Sequence, residues 1–133
     1  MVTLCGRALI ISILLAVAML IASTQDATAL SDVHAVAVLS SGADETDAFC
    51  VDFNLTPAQA FRALRNSRLI AGDVFLHAYE WLPCFVRGTA RIAGVNVRWE
   101  LRAGGNGILL FDDGNKRFIG CALCRRNFGM MRK

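Results

Sequence analysis

Hydrophobic and polar positions divide the chain into three parts. Residues 8–22 form an almost uninterrupted apolar run, preceded by one positive side chain, Arg7, and followed at once by Ser23, Thr24, Gln25 and Asp26. A membrane-crossing helix needs about 20 apolar residues, more than this run provides. Ala27-Thr28-Ala29 supplies the small residues a signal peptidase requires, so the pattern predicts a cleaved export signal over residues 1–29. The cysteine a lipid anchor would need after the run is missing, since Cys5 precedes it. The expected product is periplasmic or secreted, with no membrane attachment after cleavage.

Residues 30–47 carry one apolar stretch and then an acidic run, Asp44-Glu45-Thr46-Asp47, which predicts a flexible N-terminal arm with at most a short edge strand. The remainder, 48–133, reads as a single small α+β domain. Thr56, Pro57 and Gln59 write a helix start, with Thr56 as cap, proline at the first helical position and Gln59 completing a capping box. Helical spacing predicts a helix over 57–67, burying Phe61 and Leu64. Beyond Cys84 the period changes to two. Strands are predicted over 85–92, 95–103, 108–111 and 116–121, joined by turns at Ala93-Gly94, Gly104-Gly105-Asn106-Gly107 and Asp113-Gly114. The expected fold is one helix packed on a four-stranded antiparallel meander.

Register assigns the faces of that meander. Val86, Ala90, Ile92, Val95, Val97, Trp99 and Leu101 should meet the helix, which turns Arg87, Arg91, Arg98 and Arg102 to the opposite, solvent side with Glu100 among them. Guanidinium forks match carboxylates in bidentate geometry, so this arginine face is the candidate binding surface and an acidic envelope protein the candidate partner. Fourteen basic against eleven acidic residues leave a net charge of +3, too weak to argue for nucleic acid or a membrane surface. Arg62, Arg65 and Arg68 share a flank of the predicted helix and read as a solvated face.

Four cysteines, Cys50, Cys84, Cys121 and Cys124, remain after the leader is removed, and in an oxidising compartment they read as two disulfides. Three pairings are open. A curled meander would let Cys84 approach Cys121 or Cys124, with Cys50 taking the other. Cys121-x-x-Cys124 also has the spacing of a redox pair, but the βαβ scaffold of such proteins is missing from the pattern. Zinc would have to recruit remote ligands from Cys50, Cys84, His34 and His77, so neither metal nor cofactor is expected. His77, Tyr79, Glu80 and Trp81 are read as rim packing, with His77 capping a turn, rather than as a catalytic group.

Tyr79-Glu80-Trp81-Leu82-Pro83-Cys84, continued by Trp99-Glu100-Leu101-Arg102-Ala103-Gly104-Gly105-Asn106-Gly107 and closed by Cys121-x-x-Cys124, resembles a group of small bacterial proteins of uncharacterised function. The likeness covers roughly residues 55–124 and implies a bacterial source and the small cross-linked fold. Asn106 departs from the small hydroxyl residue of that turn, and Cys50 lies outside the shared pattern.

The expectation is therefore an exported, non-enzymatic binding or inhibitor module of the bacterial envelope. Its rivals are a periplasmic redox or metal protein using Cys121 and Cys124, or a structural envelope protein. Intact-mass measurement on exported material should give a chain beginning at Leu30; a soluble product that keeps Met1 would overturn the cleavage reading.

Overall fold

The computed structural model describes residues 29–46, 50 and 52–124. Apart from Ala29, the expected signal segment lies outside the described residues.

The fold differs from the expected single helix on a four-stranded meander: the described residues form mostly a six-stranded antiparallel sheet with two small helices. In chain order the elements are β1 (Val33–Ala43), α1 (Pro57–Arg65), β2 (Arg68–Ile70), α2 (Gly72–His77), β3 (Cys84–Ile92), β4 (Val95–Arg102), β5 (Asn106–Phe111) and β6 (Lys116–Gly120). The sheet order is β1-β3-β4-β5-β6-β2, so the predicted meander β3 to β6 forms its centre. What the sequence pattern lacked are the flanks. The stretch expected as an arm supplies β1, antiparallel to β3, and the residues after α1 supply β2, antiparallel to β6.

Local chemistry accounts for most element ends. The capping box forms as expected, with the Gln59 amide donating to Thr56 Oγ1 at 3.2 Å and the Thr56 amide to Gln59 Oε1 at 2.9 Å. At the β3–β4 hairpin Ala93 and Gly94 both have positive φ, 50° and 78°, as a two-residue primed turn requires. In β1 the register slips between His34 and Ala37 and again between Val38 and Ser40, and Ala35 has φ 48°. These bulges break the period-two signature of the strand.

The core lies on the inner face of the sheet. Val86, Trp99, Leu101, Leu109 and Ile119 pack with Ala60, Ala63 and Leu64 of α1 and with Phe53 and Leu55 ahead of it. Of the expected buried pair, Leu64 is fully buried and Phe61 only partly, packed against the core edge, with Ala60 and Ala63 completing the buried face. Trp99 is buried whole, and its indole N–H donates to the Thr89 carbonyl at 2.9 Å.

Two disulfides close the fold, Cys50–Cys84 and Cys121–Cys124, which corrects the expected link from Cys84 to the end of β6. The reason is spacing across the sheet. Two strands intervene between β3 and β6, putting them about 14 Å apart, while bridged Cα atoms lie within about 7 Å. Cys50–Cys84 spans 34 residues and Cys121–Cys124 only three, so the chain-entropy relation gives about 4 kcal/mol for the first and roughly half that for the second. C50S/C84S should therefore lower the urea midpoint clearly more than C121S/C124S. Equal losses would show that loop closure does not govern their contributions.

Candidate functional site

The outer face of the sheet, opposite the core, carries the sequence-predicted arginines in cross-strand rows. Phe85 pairs with Arg102, Arg87 with Glu100, Thr89 with Arg98, and Arg91 with Asn96. Across the sheet these rows continue through Ile108 and Phe118, and through Leu110 and Lys116. Register thus places all four arginines on one face, as the alternation predicted. The environments of the four differ.

Arg102 is not on a solvent face: only 4% of it is exposed. Its Nη1 donates to Asp44 Oδ2 at 2.6 Å and to the Leu82 carbonyl at 3.1 Å, while Nη2 reaches Asp44 Oδ1 at 3.2 Å and Glu100 Oε1 at 2.8 Å. The Trp81 ring lies 3.8 Å over its guanidinium, and Phe85 stands on another side. Glu100 accepts on its second oxygen, Oε2, from Arg87 Nε at 2.8 Å. One buried arginine therefore consumes two carboxylates and gathers the end of β1, the segment 78–83, β3 and β4.

The same segment and α2 cover part of the outer face. Phe75 stacks on Phe118 with ring centroids 4.5 Å apart and meets Trp81 edge-on at 6.0 Å. The Tyr79 ring lies so close over Gly120 that a Cβ there would collide with it. His77 is exposed, with Nδ1 2.8 Å from the Asp73 carbonyl one helical turn back. Tyr79 and Trp81 thus pack over the sheet as rim residues.

Beyond this cover the face is open. A groove of about 440 Å³ is lined by Leu39, Arg87, Arg98, Ile108, Leu110 and Lys116, among others. Leu39, an expected arm residue, is 69% exposed there. A second groove, of about 470 Å³, adjoins it through their common wall at Arg98 and adds Thr89, Arg91, Asn96 and Asp112. Arg87 is held by Glu100 and by the Phe85 ring 4.0 Å beneath its guanidinium, and Arg91 donates to the Gly94 carbonyl at 3.2 Å. Among the described residues, neither Arg98 nor Lys116 has a carboxylate partner. Lys116 and the apolar floor escaped the sequence reading because they depend on strand order. Of the helix-flank trio, Arg62 and Arg65 end α1 and Arg68 opens β2.

The other chemical candidates lie elsewhere. Cys121 and Cys124 are bonded to each other and buried, 1% and 5% exposed, so their sulfurs are shielded from a thiolate attacking from solvent. Among the described residues, no three His, Cys, Asp or Glu side chains group as a metal ion would need, and no helix is long and apolar enough to cross a membrane. No family model, curated protein or solved structure matches the chain.

The Arg102 hydrogen bonds hold the Asp44 carboxyl below its ordinary value of 3.8, against a smaller opposing effect of burial. A lowered folded-state pKa contributes stability above the unfolded value, and that contribution is lost as pH falls through the folded one. Acidification below about pH 4 should therefore destabilise the wild-type protein more than D44N. At neutral pH, R102S should cost about 3 kcal/mol, because it empties a buried site and removes the bonds to Asp44, Leu82 and Glu100 and the contact with Trp81, while R98S should change stability by less than about 0.5 kcal/mol. Urea denaturation of both variants checks this ordering; equal costs would mean that the two guanidinium groups share one environment.

Proposed function

We propose that this chain is an exported, non-enzymatic binding module of the bacterial envelope that captures an acidic protein partner on the open half of its outer sheet face. The observation that carries this reading is the pairing of an apolar groove, lined by Leu39, Ile108 and Leu110, with Arg98 and Lys116, neither of which is in an ion pair among the described residues. Apolar floor and cationic rim together suit a protein surface that brings both carboxylates and an apolar anchor. The two disulfides fit an oxidising compartment, which is where the apolar leader would send the chain.

Charge reversal on exposed positions tests the reading without touching the core. R98E/K116E should keep the far-UV circular dichroism and urea midpoint of the wild type. Immobilised wild-type protein should retain acidic envelope proteins at low salt and release them as salt rises, and the variant should not retain them. Equal retention by the folded variant would refute the role of this face.

A further inference from the structure

From the spacing of the cations on the outer face, we infer that the partner presents an extended acidic segment whose carboxylates fall at alternate residues. The inference rests on reading that face as a binding surface and adds the form of its ligand. Arg87, Arg98 and Arg91 do not scatter. Arg87 stands opposite Glu100, Arg98 opposite Thr89 and Arg91 opposite Asn96, so the three descend in a zigzag across β3 and β4, one cross-strand row apart. Diagonal neighbours of this kind on paired strands lie about 7 to 8 Å apart. In an extended polypeptide, residues i, i+2 and i+4 share one side and repeat at about 6.6 to 6.8 Å. The two repeats match closely enough for successive carboxylates to meet successive guanidinium groups.

Two of the three guanidinium groups are already positioned. Arg87 rests on Phe85 and gives Nε to Glu100, and Arg91 gives one Nη2 bond to Gly94. Five N–H donors per arginine leave both with groups to spare, and their anchoring lowers the entropy that binding must cost. Arg98 stands between them in the wall common to both grooves. Lys116, across Leu110 from Arg98, widens the cationic strip on one side, and Leu39 borders the groove from the other.

A polypeptide suits this track better than a single-stranded nucleic acid, which binds through aromatic platforms on which its bases stack. The aromatic side chains of this face are already engaged: Phe118 lies under Phe75, and Phe85 under Arg87. What flanks the zigzag is Leu39, Ile108 and Leu110 together with the non-aromatic polar residues Thr89, Asn96, Glu100, Asp112 and Lys116.

Fluorescence anisotropy with two labelled octapeptides of one composition separates pattern from charge. One alternates Asp and Ser; the other carries four Asp followed by four Ser. The purified protein should bind the alternating peptide about tenfold more tightly than the blocked one, and R98S should abolish that difference. Equal binding of the two overturns the alternating pattern while leaving an anion-binding face. Binding of neither, with envelope proteins still captured in a manner that R98E/K116E abolishes, overturns the extended segment and leaves the proposed function standing. Tighter binding of an oligothymidylate of matching charge also overturns the inference, by assigning the track to nucleic acid.

Discussion

The buried guanidinium of Arg102 is the constraint on which the rest of this structure depends. Desolvating such a charge costs several kcal/mol, offset only where partners of good geometry surround it. Here they come from separate parts of the chain: Asp44 just past β1, Glu100 on the same strand, the Leu82 carbonyl and the faces of Trp81 and Phe85. Losing any one of them leaves the buried guanidinium less well compensated. The end of the edge strand, the segment 78–83 and the central hairpin are thereby held in one arrangement, reinforced below by Cys50–Cys84 at the start of β3.

That arrangement divides the outer face. Trp81, Phe75 and Tyr79 close over Arg102, Phe118 and Gly120, and the rows through Arg98 and Arg91 stay open. It also sorts the charges. Glu100, the acid at the centre of the arginine rows, spends one oxygen on Arg87 and the other on Arg102, and Asp44 is spent on Arg102. A chain whose net charge is only +3 thus presents a strip where Arg98 and Lys116 form no ion pair among the described residues, with Asp112 the acid lining its second groove. Overall charge understates that field, because Glu100 and Asp44 are committed to Arg87 and Arg102.

Much of this was legible where short-range rules apply. The capping box at Thr56, the primed turn at Ala93-Gly94 and the alternation of β3 and β4 are encoded within a few residues, and they formed where the pattern placed them. The flanks were not legible. Bulges at Ala35 and Leu39 destroy the two-residue period of β1, β2 has three residues and α2 six, too short for periodicity to register. The register put Arg102 on the correct face and could not show that this part of the face is covered. Its cover depends on Asp44, 58 residues away in sequence, and on a loop whose aromatic residues read as ordinary rim packing. The cysteine pairing failed for a related reason: it needed the strand order rather than the strands.

The same topology bears on why we propose a face, rather than an edge, as the interaction surface. An antiparallel sheet normally invites association along its unpaired edges, where free N–H and C=O groups form a template. Here one edge is β2, three residues long. The other, β1, is long enough to recruit a partner strand, but its two register slips and the left-handed Ala35 interrupt the regular donor–acceptor ladder such a partner would need. Bulged and short edges resist indiscriminate pairing at little cost to the sheet. On the proposed binding reading, selectivity then falls to side chains, and on the open half of the outer face strand register sets Arg98, Arg91 and Lys116 among Leu39, Ile108, Leu110, Thr89, Asn96 and Asp112.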